Sequence, residues 1–179
     1  SRLDATALAS ALEHFFTTNL ANEKASGERP TPICIWGAHG IGKTLLVTDF
    51  LNYRVIFHTG GVNSGGVDEN LLVAYLDAGG SLFISDNDLG FYRNGSLFYD
   101  TYLQASYLSD NAGIDLLVGE YMLEGLALDI SAGYLPDDFQ VRPDGIRILQ
   151  FSGGNAAGVA VDRPGYRAVY ASFDFDDIA

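Results

Sequence analysis

Eight consecutive residues, Gly37, Ala38, His39, Gly40, Ile41, Gly42, Lys43 and Thr44, match G-x-x-x-x-G-K-[ST] without a departure. That spacing serves phosphate chemistry. Glycines let the backbone curl so that successive N–H groups converge on phosphate oxygens, and a helix N-terminus behind them adds about half a positive charge. In such a loop Lys43 reaches the β and γ phosphates. Thr44 offers its hydroxyl to a magnesium ion, which keeps several waters and so takes only one or two protein ligands. The same residues also fit a bare glycine-rich turn between a strand and a helix, with no ligand.

The flanking residues supply the elements that such a loop needs. Residues 31–51 read TPICIWGAHGIGKTLLVTDFL, with a continuous apolar run at 32–36 and helical character at 45–51. A continuous run of this kind marks a parallel strand buried on both faces. Strand, loop and helix therefore come in the required order. Ahead of them, Asp4 is a candidate N-cap, and Leu8, Leu12, Phe15, Phe16 and Leu20 recur at helical spacing. These predict an amphipathic packing helix over 5–20, followed by a polar linker over 23–30.

A second stretch could complete the magnesium site. Leu82, Phe83, Ile84, Ser85 and Asp86 form an apolar strand ending in an acid, the form of a Walker B element. A flavodoxin-type strand order of 2-1-3-4-5 would set this third strand beside the strand at 32–36. Asp86 would then hold magnesium through water, opposite Thr44. An ordinary acidic loop at a strand end accounts for the same residues. Asp86, Asn87, Asp88 and Gly90 also resemble the opening of a calcium loop, but Leu97 stands where that loop places a bidentate glutamate. His58 and Thr59 end a strand at the same predicted edge, as ligand contacts or as packed strand-end residues.

Composition narrows the classes of function. The net charge of −13 opposes nucleic acid or an anionic membrane as the main partner, and favours basic partners or metal ions. The single cysteine, Cys34, excludes an internal disulfide and suits a small buried hydrophobe in the strand at 32–36. No apolar run approaches the ~20 residues that span a bilayer, so the chain reads as soluble. Charge is unevenly distributed. Residues 1–51 hold four basic and five acidic side chains, whereas residues 52–179 hold six arginines, no lysine and eighteen acids. The style of the sequence therefore changes near residue 51.

Beyond that break the pattern predicts a strand at 53–58, a glycine-rich loop at 59–66, a helix at 67–77 and a strand at 81–85. Asp68 and Glu69 suit the helix N-terminus, and Gly79 and Gly80 its end. Phe98, Tyr102, Ala105 and Leu108 stand at helical spacing. Further strands are predicted at 114–119, 146–151, 157–161 and 166–173, the last two as a hairpin around 162–165. Residues 131–145, with Pro136 and Pro143 as breakers, read as irregular. Alternating strands and helices predict a single three-layer α/β domain, 1–179, with a mostly parallel flavodoxin-like or Rossmann-like sheet and a C-terminal hairpin.

Two resemblances follow from these residues. The amphipathic helix, the polar connection and the strand TPICIWG running into AHGIGKT resemble the start of AAA+ ATPases of the MoxR kind, over residues 4–51. The rest of that ATPase module, with its Walker B strand, sensors and arginine finger, does not follow in recognisable form. Residues 53–178, through YRVIFHTGG, NLLVAYLDAGGSLFISDNDLG, FYDTYLQASYLSD and YRAVYASFDFDDI, resemble the glutamine-amidotransferase-like, flavodoxin-type domain of some secreted bacterial proteins. That domain brings no established catalytic residues. The cysteine elbow of active amidotransferases is absent, so glutamine hydrolysis is not expected. Together the two resemblances imply a chimera, natural or engineered, in which one β-α unit replaces another of similar shape.

The function this implies is binding of nucleotide phosphates, ATP with magnesium, by residues 37–44. Slow or no hydrolysis is expected, because no spacing singles out Glu69, Glu120 or Glu124 as a catalytic acid and no arginine finger is evident. The alternative is a non-catalytic accessory or interaction domain with an unoccupied loop. The first part implies a cytoplasmic location, the second a secreted module, and the protein partner is left open.

Overall fold

A computed structural model describes residues 55–60, 67–113, 116–130, 135–174 and 178. The chain divides into two compact units, Ser1–Phe50 and Leu51–Ala179, beside the composition break. All the described residues belong to the second unit.

The second unit begins as a β-α-β sequence. Strand β1 (Val55–Thr59) is followed by helix α1 (Glu69–Asp77) and strand β2 (Ser81–Ser85). The helix starts where a cap dictates: Asp68 accepts the amide N–H of Leu71 at 3.1 Å, and Glu69 places an acid in the first turn. Leu72, Tyr75 and Leu76 form its buried face. Tyr75 then ties the end of the helix to the next strand. Its hydroxyl donates to the carbonyl of Ser81 and accepts the Ser81 amide, both at 3.1 Å. A Cβ at position 80 would lie 2.3 Å from that ring, so only glycine fits there.

From residue 89 the alternation breaks. A short helix α2 (Leu89–Arg93) and a single π-turn (Phe98–Tyr102) lead into β3 (Ala105–Ser109) and β4 (Leu116–Gly119). A 3-10 turn (Tyr121–Leu123) and β5 (Ala127–Asp129) follow. Four strands complete the unit: β6 (Asp138–Val141), β7 (Ile146–Phe151), β8 (Ala156–Arg163) and β9 (Tyr166–Ala171).

These strands form one nine-stranded sheet in the order β1-β2-β9-β8-β7-β4-β5, with β6 joining β8 to β3. Only β1–β2 and β2–β9 are parallel; the other six pairings are antiparallel. The expectation of a three-layer, mostly parallel flavodoxin-like or Rossmann-like sheet is thereby corrected. Its physical basis, strand-helix alternation, holds only for β1, α1 and β2. Past residue 103 no α-helix is left among the described residues to carry the crossover that parallel pairing needs, so successive strands return antiparallel. Residues 98–108 are helical only over the π-turn and pass into β3 at Ala105. Gln104, at φ 55°, reverses the chain between the π-turn and β3.

Apolar side chains cluster on both faces. One cluster packs Leu72, Tyr75 and Leu76 of α1 and Phe98 and Tyr99 of the π-turn onto Leu82, Ile84, Ala168 and Tyr170. The other gathers Leu117, Ile130, Leu149, Phe151, Ala157, Ala171 and Phe173. Central β8 is buried on both faces, and its small residues let both clusters close over it. At the β1 edge the sheet face opposite α1 is open, with Val55 and Phe57 48% and 44% exposed. Among the described residues no helix is long and apolar enough to cross a membrane.

Candidate functional site

Residues 37–44 lie outside the described residues, whereas Asp86 lies within them. It follows β2 and is completely buried. Its amide donates to the carbonyl of Ala171 at 3.1 Å, and its Oδ1 accepts the amide of Asp88 at 3.0 Å. The carboxylate thus braces the turn it stands in. Ser85, just before it, donates its hydroxyl to the carbonyl of Phe173 at 2.5 Å. His58 and Thr59 are half-buried opposite Ile84 and Ser85 on β1.

Both edges of β2 are occupied, by β1 on one side and β9 on the other. The order that would set residues 81–85 beside residues 32–36 is therefore not the order of this sheet. Asp86 sits at the end of an inner strand, facing polar groups of its own unit. Among the described residues no three His, Cys, Asp or Glu side chains are grouped so as to hold a metal ion. Leu97, at the calcium-loop position, is exposed. Asp86 is engaged in its own turn, and Thr44, the other magnesium ligand that the sequence suggests, lies outside the described residues.

The turn after β2 closes against a residue that the sequence reading passed over. Asp137, immediately before β6, is fully buried. Its amide donates to the carbonyl of Asn87 at 3.2 Å, and its Oδ2 accepts the amide of Phe91 at 3.1 Å. Its Oδ1 is buried with no hydrogen-bond partner. The rings of Tyr99 and Tyr170 meet edge-on at 5.6 Å, and Tyr170 also packs on Phe139 at 5.2 Å. Gly90 is where these groups converge: a Cβ there would lie 2.6 Å from the Tyr99 hydroxyl and 2.8 Å from Asp137 Oδ2.

Burial pushes the Asp137 carboxyl up to about 8, with Asp110 and Asp88 adding to the rise and the Phe91 and Gly90 amides opposing it. Burial likewise raises Tyr99, Tyr107 and Tyr170. A carboxylic acid that is neutral near pH 7 has the proton a general acid donates. Here it is fully buried and bonded to the Phe91 amide, so its observable task is to hold the turn at 86–91 against β6. Asp138, its neighbour, accepts from Ser109 at 3.0 Å and from Asn155 at 2.5 Å, closing the next link of the same seam. The signal in the sequence was two consecutive acids after Pro136 at the head of an apolar strand.

The remaining acids singled out earlier are held in ion pairs or exposed. Glu120 receives both the Nε and an Nη of Arg147, at 2.6 and 2.8 Å, and Glu69 pairs with Arg93 at 3.5 Å. Glu124 is exposed.

No family model matches this chain, and no curated protein matches it. Among solved structures, the chain is similar to the exo-beta-1,4-mannosidase Op5Man5 from Opitutaceae bacterium strain TAV5, at 10% identity and a TM-score of 0.46. The match covers 74% of this chain and 26% of the mannosidase, so this chain spans about a quarter of that enzyme's length.

Proposed function

We propose that the chain binds the triphosphate of a nucleotide, ATP with magnesium, through Gly37, Ala38, His39, Gly40, Ile41, Gly42, Lys43 and Thr44. The observation that carries this reading is the complete motif between an apolar strand pattern and a helical one. Main-chain amides cradle the phosphates, the Lys43 ammonium neutralises the β and γ oxygens, and Thr44 supplies one magnesium ligand. The cytoplasm, where the nucleotide is available, is the compartment that suits this role.

Turnover is slow or absent. Phosphoryl transfer needs a positioned water and a mobile positive charge in addition to the cradle. Each of the five described arginines, Arg93, Arg142, Arg147, Arg163 and Arg167, is already paired with a carboxylate. Residues 51–179 then act as a non-catalytic module.

A second reading, an accessory or interaction domain with no nucleotide, is favoured by the self-contained core of residues 51–179. Titration of a fluorescent ATP analogue with magnesium against the wild-type chain and Lys43→Ala separates the two. Nucleotide binding predicts saturable binding that weakens by about tenfold or more in the variant, the loss of one charge-assisted contact. Equal binding by both, or none by either, assigns the accessory role.

A further inference from the structure

A concave site lies at the opposite end of α1 from its N-cap, independent of the nucleotide reading. It has a volume of about 300 Å³ and is walled by Leu76, Asp77, Tyr102, Arg163 and Tyr166, with the Pro164–Gly165 turn of the β8–β9 hairpin and Thr101 closing its rim. Asp77 is the last residue of α1, and the last turn of that helix carries no basic side chain.

The two tyrosines form an aromatic wall held in place by hydrogen bonds. Their rings stand 5.3 Å apart at an angle of 39°. Tyr102 donates its hydroxyl to Asp77 Oδ1 at 2.6 Å, and the Tyr166 hydroxyl lies 3.4 Å from the carbonyls of Thr101 and Tyr102. Burial of Tyr166 and the Asp77 hydrogen bond to Tyr102 raise both phenols, so the two rings stay neutral at physiological pH. The one cationic side chain in the wall, Arg163, is ion-paired with Asp144 and also interacts with the Tyr166 hydroxyl. Asp77 accepts the Tyr102 hydroxyl but makes no ion pair among the described residues, and it is exposed beside two aromatic rings at a helix C-terminus. Residues 52–179, with eighteen acids against six arginines, draw cations towards it.

We propose that this site binds a small organic cation, the alkylammonium end of a linear amine, with the ammonium on Asp77 and its alkyl stem along the rings of Tyr102 and Tyr166. The aromatic quadrupole and the carboxylate act on the same charge. The volume is at the lower limit for small-molecule sites, which suits a linear amine rather than a larger ligand.

The test is a titration of the full chain with 1,4-diaminobutane at physiological salt, followed by the resonances of Tyr102 and Tyr166, with 1,4-butanediol as the uncharged probe. The proposal expects saturable shifts at both tyrosines with the diamine and none with the diol. Asp77→Asn weakens binding about fivefold or more, and Tyr166→Leu does so to a similar degree, whereas Tyr166→Phe keeps it. Comparing the far-ultraviolet circular dichroism of each variant with wild type separates lost binding from lost folding. Equal shifts with the diol, wild-type affinity in a folded Asp77→Asn, or no shift at either tyrosine each overturns the proposal. Wild-type affinity in Asp77→Asn would mean general attraction to an acidic surface.

Discussion

Replacing Asp137 by asparagine should make the second unit more stable at neutral and alkaline pH and flatten its dependence on pH. The carboxyl is raised from its ordinary 3.8 to about 8 by burial, so the folded state favours the neutral acid. The sign follows from linkage. The stabilisation of the protonated form is complete below about pH 4 and is lost as pH rises towards 8, while the unfolded chain ionises freely. Each unit of difference is worth 1.36 kcal/mol, so the loss between pH 4 and pH 7 is up to about 4 kcal/mol, large against a typical domain stability of about 5–15 kcal/mol. Relaxation of the turn will reduce it. The carboxamide oxygen that replaces the carboxyl can still accept from the Phe91 amide, and the new side chain carries no charge at any of these pH values. Urea unfolding from pH 5 to pH 9 reads the effect. All ten tyrosines lie in residues 52–179 and the single tryptophan, Trp36, does not, so near-ultraviolet tyrosine circular dichroism isolates this unit. Wild-type stability should fall across that range, with the variant gaining about 1–4 kcal/mol at pH 8. A wild-type stability that is flat or rising, or an unchanged slope in the variant, would refute the reasoning.

Two other perturbations act on named contacts. Gly90→Ala places a methyl 2.6 Å from the Tyr99 hydroxyl and 2.8 Å from Asp137 Oδ2, and should cost about 1–3 kcal/mol, measured as a lower urea midpoint. Asp68→Ala removes the cap on the Leu71 amide and should cost about 1 kcal/mol with little change in the dependence on urea.

The local elements of the chain were legible where side-chain chemistry acts within a few residues. Asp68 and Glu69 marked the start of α1, Gly79 and Gly80 its end, and the apolar run at 81–85 is β2. The sheet order was not legible, because β2 is held between β1 and β9, partners 26 and 86 residues away by register, and nothing local in SLFIS announces that. The spacing of Phe98, Tyr102, Ala105 and Leu108 mimics a helix because the π-turn buries Phe98 while β3 buries Ala105 for a different reason. Asp86 could be read as a strand-end acid but not as a buried one, since its burial comes from the closure of the turn over it. Asp137 was hidden within a stretch that its flanking prolines made look irregular. It matters only because β6 carries it under the turn at 86–91.

The central claim, that residues 37–44 enclose a nucleotide's phosphates, is tested most directly by the chain's own fluorophore. Trp36 immediately precedes Gly37, and it is the only tryptophan. Titrating ATP with magnesium while following Trp36 emission should give a saturable change in the wild-type chain, displaced to about tenfold higher nucleotide or more in Lys43→Ala. Emission that does not change with nucleotide, or that changes identically in both proteins, would contradict the account.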